Sequence, residues 1–169
     1  ALKELLIGGN SLSVQSAKAL AAALTQNQTL ATLNIERCSL FARGAKAIAE
    51  ALPQNRALTS LNASNNGISD EGAKAIAEGL KQNNSLKELN ICANFIAAPG
   101  AEAIAEALQQ NHSLTSLDIS WNRIAAPGAA AMAAALQYNH ALTTLNVRDN
   151  FIAHGAKAIA EALKQNHTL

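Results

Sequence analysis

A leucine returns every 28 residues, at Leu2, Leu30, Leu58, Leu86, Leu114 and Leu142. Self-similarity at a fixed period restricts a chain severely, because one small unit must then bury its apolar face against copies of itself. Leu169 starts a seventh copy one residue early, since the connector from Ile152 to Gly155 is one residue shorter than its equivalents. Each unit reads Leu-x-x-Leu-x-Ile-x-x-Asn-x-Ile, a connector, a segment close to Gly-Ala-Lys-Ala-Ile-Ala-Glu-Ala-Leu, and then Gln-Asn or a near variant.

The two halves of the unit have different periods. Leu33 and Ile35, and Leu89 and Ile91 later, alternate with polar residues, which predicts a short half-buried strand. Ala45, Ile48, Ala49 and Leu52 fall at i, i+3, i+4 and i+7 and predict a helix with one apolar stripe. The stripe recurs at Ala101, Ile104, Ala105 and Leu108, and again at Ala156, Ile159, Ala160 and Leu163. An Asn follows each helix, at 27, 55, 83, 111, 139 and 166, where a left-handed residue commonly closes the last turn. A strand followed by a returning helix, repeated, stacks its strands in parallel with the helices behind them. Strands sit about 4.8 Å apart and helices about 10 Å, so the helical side splays and the strands line a concave face. Ala47, Ala51, Ala75, Ala103 and Ala107 let neighbouring helices approach and moderate that splay.

These repeats resemble leucine-rich repeats of the ribonuclease-inhibitor type, and the resemblance extends over essentially the whole chain. It implies an α/β solenoid of about six repeats, a curved horseshoe arc with a parallel β-sheet inside and α-helices outside. Residues 1–169 then form one leucine-rich-repeat domain. The resemblance also implies a role in protein recognition, as in cytosolic inhibitors, nucleotide-binding innate immune receptors and secreted bacterial effectors.

Composition narrows the function. The 13 basic and 12 acidic side chains leave a formal charge of +1, with no long-range field for nucleic acid or an anionic membrane. No apolar run approaches the roughly 18 residues that span a bilayer. Cys38 and Cys92 lie two repeats apart, about 10 Å along the sheet, and point to opposite faces, which forbids a disulfide. Free thiols favour a cytoplasmic location, or the host cytosol for a secreted effector. Neither end carries the polar capping repeat that a solenoid needs, so a segment of a longer protein is expected.

Departures from the repeat are informative. Ala63 stands where other units carry Ile or Val, and predicts a softer third unit. Cys38 replaces the Asn found at 10, 66, 94, 122 and 150, whose amide can satisfy buried backbone groups of the turn. Asp70 is the one Asp placed to cap a helix start, while Pro99 and Pro127 preset φ near a first turn.

Outward positions form lanes along the concave face. The lane Asn34, Asn62, Asn90, Asp118 and Asn146 reads first as side chains hydrogen-bonded to each other along the sheet. Charged outward residues, among them Glu36, Arg37, Glu88, Asp118, Arg148 and Asp149, total five acidic and two basic, too few cations for a phosphate backbone. Trp121, read as an outward strand position, buries nothing in the repeat core. The adjoining loop lane brings Phe95, Arg123 and Phe151 together, with the guanidinium expected between the two rings. His112, His140 and His167 repeat at helix ends and read as polar surface rather than a metal site. The fifth helix, Gly128–Leu136, is nearly all alanine, which reads first as drift towards a strong helix former and second as another contact surface.

No phosphate-binding glycine loop is present, and the repeat forces no serine beside a His and a carboxylate. The expectation is a non-enzymatic scaffold without cofactor or metal that binds a protein partner. Its predicted surface comprises Glu36, Arg37, Glu88, Phe95, Asp118, Trp121, Arg123, Arg148, Asp149 and Phe151. The alternatives are an array packed on another domain of the same chain and an engineered consensus array, against which the irregular Val14, Ala63 and His154 argue.

Overall fold

The computed structural model describes all residues from Ala1 to Leu169. Six strands alternate with six helices. The strands are β1 (Glu4–Leu6), β2 (Thr32–Asn34), β3 (Ser60–Asn62), β4 (Glu88–Asn90), β5 (Ser116–Asp118) and β6 (Thr144–Asn146). The helices are α1 (Val14–Gln26), α2 (Phe41–Ala51), α3 (Ser69–Gln82), α4 (Ala98–Gln110), α5 (Ala125–Leu136) and α6 (Gly155–Leu163). The strands form one parallel sheet in chain order, and each register step equals the sequence period: Leu5, Leu33, Leu61, Leu89, Leu117 and Leu145 are successive partners. Each helix packs on the helices before and after it. The solenoid predicted from the repeat is the fold observed.

One core runs the length of the array. Leu58, Leu86 and Leu114 enter it from the strand approach, and Ile35, Ile91 and Ile119 from just beyond the strands. Ile48, Ile76, Ile104 and Met132 close it from the helices. At Ala63 the missing side chain leaves an apolar gap of about 10 Å³, walled by Ile35, Leu40, Leu61, Ile68 and Ile76 among others. The inward side chains of the first and last units, such as Leu5, Ile7, Leu145 and Val147, are only partly covered.

Two ladders of asparagine tie the units together. In the first, Asn122 accepts the Asn94 and Ile96 amides at 2.9 and 3.0 Å and donates to the Ile91 and Ile119 carbonyls. Asn94 and Asn66 repeat the pattern one and two units earlier. Cys38 keeps part of it, its thiol donating to the Ile7 carbonyl at 3.3 Å.

The second ladder corrects the expectation of left-handed helix caps. Asn27, Asn83 and Asn111 have φ of −82°, −87° and −89°, which is extended backbone. Their side chains act instead. Asn83 Oδ1 accepts the Ser85 and Leu86 amides, while Nδ2 donates to the Leu52 and Asn55 carbonyls of the preceding unit. Asn55, Asn111, Asn139 and Asn166 reach back in the same way to Leu24, Leu80, Leu108 and Leu136. Helix-end carbonyls, which have no partner within their own helix, are thus satisfied by the next repeat.

Asp70 also works across a boundary. It lies inside α3 and caps α4, its Oδ1 accepting the Ala97 and Gly100 amides at 2.8 and 3.0 Å. Its own helix has no side-chain cap. The residue that caps its own helix is Ser13, whose hydroxyl accepts the Ser16 amide.

Candidate interaction surface on the loop edge

The strands are shorter than their apolar alternation suggests. β5 ends at Asp118, so Trp121 stands on the turn beyond it rather than on an outward strand position. There the backbone is left-handed, with φ of 54° at Trp121, as at the equivalent Arg37, Asn65, Ala93 and Asp149. This conformation is unusual for a residue with a side chain and is held by the array. The Trp121 amide donates to the Arg148 carbonyl of the next unit at 2.9 Å, and Asn122 is buried immediately behind it.

Phe95 and Phe151, two positions further along their turns, also have positive φ, 59° and 55°. Arg123, at the same place in the unit between them, does not. Its amide donates to the Ile96 carbonyl at 2.7 Å, and residue 123 bridges to Ala97 of the preceding unit. This pairing draws Arg123 towards the earlier repeat. Its guanidinium therefore lies over Phe95, 5.2 Å from the ring centre, and the expected sandwich between two rings does not form. Phe151 is left 80% exposed. Arg148, expected at a polar rim, instead lies 5.8 Å from the Trp121 ring, and its Nε donates to Asp149 Oδ2 at 2.8 Å.

The outcome is a ledge with a cavity of about 370 Å³ lined by Phe95, Trp121, Asn122, Arg123, Asp149 and Phe151. Phe95 is 61% and Trp121 59% exposed. Rings this large are stable in water only at a cost, which a covering partner would recover.

Phe41 extends the same edge and was absent from the residues singled out by sequence. It is 62% exposed. Its ring lies against Gly67, where a Cβ would meet it at 3.0 Å on a backbone already at φ +66°. The signal was present in the alignment of units, since Ser69, Ala97, Ala125 and Ala153 hold the matching positions.

The remaining predicted residues lie elsewhere. Arg37 is exposed three units before Trp121, about 14 Å away along the sheet. Glu36, Glu88 and Asp118 line the concave face, and none of them is in an ion pair. They are oriented by neutral donors: Asn62 to Glu36 at 3.1 Å, Ser60 to Glu88 at 2.9 Å, and Asn146 and Ser120 to Asp118 at 3.0 and 2.6 Å. The asparagine lane is hydrogen-bonded along the sheet only at its last step, where Asn146 donates to Asp118; elsewhere the expectation is corrected. No Asn bonds another Asn along it; Asn34, Asn62, Asn90 and Asn146 accept the amide two residues on in their own turns.

Cys92 sits among these groups. Burial pushes its thiol up from the ordinary cysteine value, and the nearby Asp118 charge adds to the effect, against hydrogen bonds with Ser64 and Ser120. A thiol held protonated is a poor nucleophile. Cys38 is buried and free. His112, His140 and His167 are exposed, and no three His, Cys, Asp or Glu side chains are spaced to hold a metal ion. No helix is long and apolar enough to cross a membrane.

Comparison with known proteins agrees with this architecture. The actin-binding site 2 domain of leiomodin-1 is similar at a TM-score of 0.75 and 22% identity, over 92% of this chain and 90% of that one. The tropomodulin C-terminal domain of Caenorhabditis elegans gives 0.64 and 16%, over 98% of this chain and 84% of that one. A chain of the yeast Rad7–Elc1 complex gives 0.69 and 23%, over 98% of this chain and 40% of that one. At these identities the likeness shows the fold. No curated protein sequence matches. The family model of the TMOD/LMOD leucine-rich domain matches residues 42–126, half of the chain, and includes Phe95, Trp121 and Arg123. The chain belongs to the TMOD/LMOD leucine-rich domain family.

Proposed function

We propose that this array is a non-enzymatic protein-recognition scaffold, and that it binds its partner through the loop edge of the C-terminal half and the adjoining concave face. The observation that carries the reading is the ledge. Phe95, Trp121 and Phe151 are all exposed around one cavity, with Arg123 and Arg148 on their faces. Tryptophan and arginine dominate binding energy when a partner covers them. Glu36, Glu88 and Asp118 would face the same partner from the concave side. The work is binding alone, without cofactor, metal or nucleic acid, and the two free thiols support a cytoplasmic setting.

Actin is the first partner to test, because the similar leiomodin-1 domain is described as an actin-binding site. Co-sedimentation with filaments and capture of monomeric actin would be compared for the wild type and a Trp121→Ala, Arg123→Ala double variant. The reading expects actin, or another protein partner, to be lost by at least tenfold in the double variant. Binding unchanged by the two substitutions would overturn the ledge as the recognition surface.

A second reading, an array packed on another domain of the same chain, rests on α5. Its outer face carries Pro127, Ala130 and Ala134 without a charge, next to the exposed Tyr138. Substituting Ala130 and Ala134 with Glu would disrupt such packing and leave binding at the ledge intact.

A further inference from the structure

The ledge contains one charge without a partner. Arg148 is compensated by Asp149, so the far wall of the cavity is close to neutral. Arg123 takes part in none of the ion pairs of the chain, and the structure gives its side chain no hydrogen bond. Its guanidinium lies over the Phe95 ring, 5.2 Å from the centre, a contact that leaves its N–H groups without an acceptor. That fork matches a carboxylate through two parallel hydrogen bonds.

The other walls offer a ligand little that is polar. The Asn122 amide is consumed by the Asn94 and Ile96 amides and by the Ile91, Ile119 and Ser120 carbonyls. Phe95, Trp121 and Phe151 present rings. A volume of about 370 Å³, open to solvent along the edge, suits an apolar side chain or two projecting from a polypeptide. The charge around it sets the orientation. Asp118 and Glu88 on the concave side repel an anion, so a carboxylate is directed to the outer side, where Arg123 stands.

We infer that the ledge binds a partner segment in which an apolar side chain has an Asp or Glu close beside it, the apolar group lodging between Phe95, Trp121 and Phe151 and the carboxylate pairing with Arg123. This rests on the recognition role proposed above and names the chemistry of the partner at that site.

Trp121 is the only tryptophan, which makes the site its own reporter. Random heptapeptides displayed on phage would be selected on the immobilised chain and depleted on the Trp121→Ala variant. Recovered sequences would then be synthesised and titrated against Trp121 fluorescence. The expected sequences carry Asp or Glu within two positions of Leu, Ile, Met or Phe. Changing the acid to its amide weakens binding at least tenfold; Arg123→Gln does the same, and the two changes together weaken it no further. Selected peptides without an acid, peptides rich in Lys or Arg, or binding indifferent to Arg123→Gln would overturn the carboxylate assignment and leave the ledge as a binding surface. A selection that yields no Trp121-dependent peptide also overturns it, while capture of whole proteins by the double variant decides the broader role separately.

Discussion

Asp70 and Gly100 are coupled across a repeat boundary: Asp70 Oδ1 accepts the Gly100 amide hydrogen at 3.0 Å, and a Cβ on Gly100 would lie 2.6 Å from that same oxygen. The carboxylate of one helix thus starts the next, and glycine is needed for its approach. Asp70→Ala should cost about 1 kcal/mol in urea denaturation, the usual cost of losing a cap. Gly100→Ala should cost about 1–3 kcal/mol through crowding. In the Asp70→Ala background the Gly100→Ala penalty should shrink, since one clash is gone, though Ile96 Cγ2 at 2.7 Å remains. Strict additivity in this cycle would show that the cap is not shared.

Cys38 is the weak rung of its ladder. Its thiol reaches the Ile7 carbonyl, whereas the amides at 66, 94, 122 and 150 each serve both donors and acceptors. Cys38→Asn should keep the Ile7 bond, add an acceptor for the Asn10 amide, and raise stability by roughly 1 kcal/mol. A fall in the denaturation midpoint would mean the thiol is there for its packing. The opposite change at a complete rung, Asn122→Ala, leaves several buried groups unpaired and should cost about 3 kcal/mol or more.

The gap at Ala63 is small and lined by apolar side chains. Ala63→Val should fill it and stabilise the chain by about 0.5–1.5 kcal/mol, the reverse of an ordinary methylene deletion. Native-state hydrogen exchange should then slow most in the third unit, around Leu61 and Ile68.

Trp121 combines an exposed ring with a left-handed backbone, a conformation that costs a side-chain-bearing residue of order 1 kcal/mol. Gly9 occupies the equivalent place in the first unit with φ of 76°. Trp121→Gly should therefore be at least as stable as Trp121→Ala by thermal denaturation. Both should bind a partner at least tenfold more weakly than the wild type. Stability lost in both variants without loss of binding would make the tryptophan structural.

The Cys92 thiol gives a pH dependence with a definite sign. Its pKa is raised in the folded chain, so its contribution to stability is complete below the unfolded cysteine value, about 8.5, and is lost as pH rises through the higher folded value. Alkylation by iodoacetamide should have its pH midpoint above that of a model cysteine peptide. Asp118→Asn removes a neighbouring negative charge and should move the midpoint down. A midpoint at or below the peptide value would contradict the placement of the thiol among these groups.

The repeat alone determined the sheet order, the register and which leucines and isoleucines meet in the core. A period of 28 residues leaves each apolar position one kind of neighbour, its own copy, so Leu89 can only lie between Leu61 and Leu117. The candidate surface was legible for the same reason, as positions where the copies differ. What the sequence could not settle was every interaction in which one unit completes another. The helix-end asparagines and Asp70 looked like local features of their own unit, and Arg123 looked equally shared between the rings on either side of it. Tertiary structure decided otherwise, because stacking brings the free amides and carbonyls of the neighbouring units within reach of these side chains. Asn83 therefore reaches back to Leu52, Asp70 forward to Gly100, and Arg123, paired through its backbone with the preceding turn, lies over Phe95 and leaves Phe151 open.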